Sequence, residues 1–176
     1  LAEIVRRSAS ILEVDIDEAA VQMLASRGRG TPRVINRLLR RTRDHAVVKG
    51  DGRITQTQAA AAMAALDIDD AGLDTTDRRL LAAIIQKFGS GPVGGAAIAA
   101  VIGESVETVE DVYEPYLLQL GFLDRTPQGR LATELARGHL RELGYEVPPP
   151  RRAERDDPGL WDGVTSEGRT EAEAQA

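Results

Sequence analysis

Between Leu66 and Thr76 the chain places Asp67, Asp69, Asp70 and Asp74 around Gly72, and this acidic break divides a helix-patterned sequence in two. With 176 residues in all, each side has only a small core to build. Aromatic residues make up 3% of the chain against 42% apolar, so those cores must come from Ala, Val, Ile and Leu, a composition that suits helices. The four aspartates match no calcium-loop spacing, and residues 67–76 read as a solvated linker. The absence of cysteine excludes disulfides, thiolate chemistry and cysteine-based zinc sites. Apolar runs such as Ala59 to Leu66 are far too short to span a bilayer, and no signal-peptide pattern opens the chain. A cytoplasmic protein with no membrane partner is the expectation. The chain starts at Leu1, inside a helix-like segment, and reads as a piece of something longer.

Residues 1–66 read as four helices. The first covers Leu1 to Ser8. Asp15-Ile16-Asp17-Glu18 supplies a capping box for the second, anchored by Val21 and Leu24. Gly28 and Gly30 break the chain, and Thr31-Pro32 restarts it with a cap and a first-turn proline. The third helix runs to Lys49 with Val34, Ile35, Leu38, Leu39, Ala46 and Val47 on its apolar stripe. Arg33, Arg37, Arg40 and Arg41 lie mainly off that stripe. Ile54 makes an extended step, and Thr55 caps the fourth helix.

Residues 77–147 change pattern. Helices are expected over Asp77 to Phe88, over Ala96 to Ile102, and from Ser105 onward with Val109, Val112, Tyr116, Leu117 and Leu120 inward and Pro115 as a kink. Phe122 to Arg125 and Arg130 to Ala132 are short strands about a Thr126-Pro127-Gln128-Gly129 turn, and Thr133 to Leu143 is a last helix. Three helices followed by a two-stranded hairpin is the order of a winged helix. Residues 148–176 lose all periodicity and read as a disordered acidic tail, in which Trp161 is isolated.

Net charge is −6, yet its distribution is uneven. Residues 1–66 carry 11 basic and 7 acidic groups, whereas residues 67–150 carry 7 and 14. A nucleic-acid contact in the second unit must therefore rest on a few arginines. Arg125 and Arg130 flank the hairpin turn and could face one phosphate track. His45 and His139 have no metal-ligand spacing and read as surface residues. Glu110, Asp111 and Glu114 read as an exposed helix face. No catalytic constellation and no metal site is expected.

The strings Arg29-Gly30-Thr31-Pro32-Arg33, Asn36-Arg37-Leu38-Leu39-Arg40-Arg41, Gly91-Pro92-Val93-Gly94, Glu110-Asp111-Val112-Tyr113-Glu114-Pro115-Tyr116-Leu117 and Gly121-Phe122-Leu123 occur in order over roughly residues 1–150. In this the chain resembles the RuvB family of Holliday-junction branch-migration motors. The resemblance implies a mainly α fold: a helical AAA+ lid domain over residues 1–66, the linker, and a winged-helix DNA-binding domain over residues 77–147. It implies an ATP-dependent DNA translocase, hexameric and acting in recombination and repair. ATP and its magnesium, like the RuvA contact, belong to a large domain this chain lacks. No GxxxxGK[ST] string occurs, so the chain by itself should not hydrolyse ATP.

The resemblance further implies that Arg33, presented by Gly30 and Thr31, is the sensor that touches ATP phosphates. It implies that Arg125 and Arg130 hold DNA, a four-way junction or duplex bound without regard to sequence. Arg37, Arg40, Arg41 and Arg43 suit a solvated face or a subunit seam. The family usually carries arginine where this chain has Val106 and Gln128, so weaker DNA binding, or a shift of the contact to Arg78, Arg79 or Arg137, is expected. Two other readings stand beside it: a free-standing winged-helix regulator, and the lid of a related AAA+ clamp loader or origin-recognition protein. The acids on the third helix of the second unit suit base reading poorly.

Overall fold

The structure, a computed structural model, describes residues 1–150. The acidic stretch from residue 151 onward, with Trp161, lies outside the described residues. Helices α1 (Ala2–Ile11), α2 (Glu18–Ser26), α3 (Pro32–Lys49) and α4 (Gln56–Ala65) form a first unit. The starts of α2, α3 and α4 are set by side chains the sequence supplies. Thr31 Oγ1 accepts from Val34 N and Thr55 Oγ1 from Gln58 N. Asp17 caps two helices at once, accepting from Ala20 N at 2.7 Å and from Gln56 N at 3.1 Å. The capping box expected from Asp15 and Glu18 does not form, because the cap falls on Asp17, whose N3 residue is Ala20, and Glu18 pairs with Arg6 at 2.5 Å.

Ile54 is the extended step, bonded through its N–H to Asp15 O at 2.8 Å and through its carbonyl to Asp17 N at 3.0 Å. It sits wholly buried with Leu24, Ile35, Leu38, Leu39 and Met63. Full burial of each such side chain stabilises by roughly 2 kcal/mol. Val47 departs from the expected stripe: it is 62% exposed, beside an exposed Val48.

The second unit begins with α5 (Thr75–Ala82), which widens into a π-helical turn over Ala83–Lys87, and continues with α6 (Gly95–Ile102). Helix α7 (Val106–Thr108) runs through a second π-helical turn, Val109–Tyr113, into α8 (Glu114–Gln119). Strands β1 (Leu123–Thr126) and β2 (Gly129–Ala132) then pair antiparallel, and α9 (Glu134–Glu142) closes the unit. Val93 adds a one-residue third strand, exchanging both backbone bonds with Arg130 at 3.0 and 2.8 Å. Leu80, Leu81, Ile84, Ile85, Ile98, Leu117 and Leu140 are buried in the centre.

The proline expected to kink the third helix of this unit is absorbed by the π turn instead. Glu114 N bonds to Val109 O, five residues back, so the ladder is already offset where Pro115 lacks its donor. That extra residue rotates the faces. Val112, expected inward, is 55% exposed, and Glu114, expected outward, is buried.

The acidic break is likewise not a solvated tether. Leu73 is fully buried, and the Asp69 side chain is 6% exposed, accepting from Leu73 N at 2.8 Å and contacting His139 Nε2 at 3.0 Å. His139, read as a surface residue, is thus inside the fold, stacked on Phe122 with ring centroids 5.0 Å apart. Its partner lies 70 residues away in sequence, which no local pattern exposes. His45 is half-buried, with a shielded Nδ1 that has no partner. Among the described residues, no helix is long and apolar enough to cross a membrane.

Candidate functional site

Two places in the fold bear on the expected chemistry: the turn before α3 and the wing. In the turn, Arg29 and Gly30 both take left-handed backbone conformations, with φ of +50° and +67°. Glycine does so at no steric cost, whereas an arginine gives up roughly 1 kcal/mol. The turn delivers Thr31 as cap and Pro32 as first helical residue, and leaves Arg33 exposed in the first turn of an 18-residue helix. Unpaired N–H groups and the helix dipole favour an anion at that end. Beside it, Arg33, Asn36, Arg37, Arg40, Arg41 and Asp44 line an open concavity of about 480 Å³. The exposed Arg37, Arg40 and Arg41 therefore share a face with Arg33, while Arg43 bonds to the adjacent Asp44 at 2.8 Å. A donor set of four guanidiniums with one carboxylate fits a polyphosphate.

The preceding arginines of the same turn are tied to the second unit. Arg27 donates to Asp69 O at 3.1 Å and pairs with Asp70. Arg29 donates to Gly72 O at 3.2 Å, pairs with Asp77, and lies 3.1 Å from Asp74. Its guanidinium also stands over the Tyr116 ring, 5.3 Å from the centroid. Asp77 is fully buried and also accepts from Asp74 N, completing a capping box at the start of α5. Burial pushes the Asp77 carboxyl up to about 6, against the opposing pull of Arg29.

In the wing, Arg125 and Arg130 are direct cross-strand partners, so their side chains share one face, as the hairpin spacing suggests. Their surroundings differ. Arg125 is 57% exposed, with Glu110 3.6 Å away. Arg130 is 11% exposed: it meets Glu114 at 2.7 Å and Glu110 at 2.5 Å, and lies against Gly95 at the start of α6. Glu114 is 2% exposed at its side chain, which corrects the reading of Glu110, Asp111 and Glu114 as one exposed face. Among these three, Asp111 is the exposed one.

Val106 and Gln128 are both exposed, on α7 and at the wing tip. Of the alternative contacts, Arg78 is buried among Asp67, Asp69 and two carbonyls. Arg137 is buried against Ser90 Oγ and Pro148 O. Arg79 remains exposed. Arg29, Asp77 and Glu114 were the structurally decisive charges that sequence reasoning passed over. The one local signal was Asp74 three residues before Asp77, a cap signature.

A helix-capping turn with an outward arginine, on a small helical bundle joined to a winged helix, defines the lid and DNA-binding parts of an AAA+ protein. Residues 1–69 match the RuvB AAA lid domain, and residues 70–141 match the RuvB C-terminal winged helix domain. The chain is 55% identical over 159 residues to the Holliday junction branch migration complex subunit RuvB of Dehalococcoides mccartyi (strain CBDB1), covering 90% of this chain and 44% of that protein. It is 53% identical over 150 residues to subunit RuvB 2 of Synechococcus sp. (strain JA-3-3Ab), covering 85% and 40%. The solved Thermotoga maritima RuvB Holliday junction branch migration motor superposes with a TM-score of 0.77 at 51% identity, over 84% of this chain and 48% of that one. The chain belongs to the RuvB family, and it spans less than half the length of these relatives.

Proposed function

We propose that this chain is the lid and DNA-gripping part of an ATP-driven motor that moves DNA strands through four-way junctions. The reading is supported by its 51% identity to a solved branch migration motor and by the exposed Arg125 on the wing. In the whole protein, a hexamer that also engages RuvA, ATP held by the large domain supplies the hydrolysis energy. Arg33, set at the α3 N-terminus by Gly30 and Thr31, faces the ATP phosphates and reports nucleotide state through the position of the lid. Arg125 meets the DNA backbone. Phosphate contacts hold position without reading bases, which suits a motor that passes over any sequence.

Arg130 takes a different part from the one its spacing suggested. Its guanidinium is engaged by Glu114 and Glu110, so it braces the wing beneath Arg125. Glu110 in turn lies near both arginines and competes with phosphate for Arg125. The experiment is a salt titration of duplex binding by the chain and two variants. Arg125→Ala is expected to weaken binding about five- to tenfold and to reduce the salt slope by about one. Glu110→Gln is expected to tighten it roughly fivefold, as a charge interaction of about 1 kcal/mol is relieved. Equal affinity in all three proteins would remove the wing from the DNA contact.

A further inference from the structure

We propose that Arg29 is a positioning residue: held by Asp77, Asp74, Gly72 O and the Tyr116 ring, it fastens the turn that carries Arg33 to the winged helix. The lid and the DNA-binding unit then move as one piece. Arg29, four residues from Arg33, thereby joins the sensing turn to the DNA-gripping unit, beside Arg27, which reaches Asp69 O and Asp70.

Arg29 adopts φ +50°, a conformation an arginine holds only where surrounding contacts over-determine it. Those contacts all come from across the unit boundary. Its Nε donates to Gly72 O at 3.2 Å, and its terminal nitrogen pairs with Asp77 and reaches Asp74 at 3.1 Å. The guanidinium carbon stands over the Tyr116 ring. Tyr116 is itself anchored, its hydroxyl donating to Ala71 O at 2.7 Å, and Asp77 is anchored by Asp74 N at 2.9 Å. Arg29 is 14% exposed and Asp77 is not exposed at all, so the pair is little screened by solvent. A bidentate guanidinium fixes direction as well as distance, which an ammonium does not. A Cβ added at Gly30 would stand 3.5 Å from Gln119 Oε1 on α8, so the turn passes close to the winged helix beyond Arg29 as well.

The inference rests on the sensing role proposed for Arg33, but its test does not depend on DNA. The chain has no cysteine, so Ala64→Cys on α4 and Ala100→Cys on α6, both exposed, give two unique sites for nitroxide labels. Electron–electron resonance then reads the distance between the units. The labelled chain is expected to show one narrow distribution. Arg29→Gln is expected to broaden it at least about twofold with helix content unchanged, and Arg29→Lys to fall between, since lysine keeps the charge but not the fork. Arg33→Gln should leave it narrow. A distribution as narrow in Arg29→Gln as in the parent overturns the clasp, whether or not thermal stability falls. Should the glutamine variant lose helix content, Arg29→Lys decides, and parental width there overturns the clasp equally. DNA binding by Arg29→Gln should match the parent chain, so a failed clasp is distinguishable from a failed grip, which is read at Arg125.

Discussion

Replacing Glu114 with alanine is expected to destabilise the winged helix by roughly 3 kcal/mol, since breaking a shielded ion pair from one side leaves the other charge stranded. The Glu114 side chain is 2% exposed and its partner Arg130 is 11% exposed, so water can do little to compensate. Glu110 still meets Arg130 at 2.5 Å, which keeps the cost toward the lower end of the range for buried pairs. Urea denaturation of the chain gives the number. A cost below about 1 kcal/mol would mean that the pair behaves like an exposed one and that Arg130 is not a brace. Glu114→Gln keeps an acceptor for Arg130 Nε and should cost less than alanine. DNA affinity of folded Glu114→Ala is expected to hold, since Arg125 is untouched.

Replacing Gly129 with alanine should cost a comparable amount by a different route. Gly129 sits at φ +138°, where any residue with a side chain is strained by roughly 1–3 kcal/mol. A Cβ there would also stand 2.5 Å from Val93 O and 2.7 Å from Val93 C. Both atoms are backbone, in the segment that pairs with Arg130 through two hydrogen bonds. The collision cannot be relieved by rotating a side chain, so the wing must separate from the Val93 segment. The expected result is a lowered unfolding midpoint together with faster amide exchange at Val93 and Arg130. Unchanged exchange at those two amides would contradict this account of how the wing is held.

Much of the fold was legible because its boundaries are written locally. Asp17, Thr31, Thr55, Asp74, Ser105 and Thr133 each cap the helix that follows, and each is a residue type whose side chain accepts from a free N–H. The hairpin was equally plain from its turn residues. The faces of the third helix in the winged unit were not. A π turn inserts one residue without a mark in the hydrophobic pattern, and across it Val112 turns outward and Glu114 inward, while Tyr116 and Leu117 beyond it face the core as expected.

At the candidate site, the exposed Arg33 and Arg125 lie where the sequence suggested. The charges that engage partners far along the chain could not be read the same way. Arg29 meets Asp77 across 48 residues and Arg130 meets Glu114 across 16. In a single sequence, an arginine bound for a buried carboxylate looks the same as one bound for water. The acidic break shows this most clearly, since Asp67, Asp69, Asp70 and Asp74 each lie beside an arginine, Arg78, Arg27 or Arg29.

The most direct measurement is binding of the chain to a four-way junction and to two unrelated duplexes of equal length, each across a salt series. If this is the backbone-gripping part of a motor, the two duplexes bind within about twofold of each other, and affinity for all three DNAs falls linearly on a log–log plot as salt rises. A preference of more than about tenfold for one duplex sequence, or affinity indifferent to salt, would contradict that claim and point to a protein that reads bases.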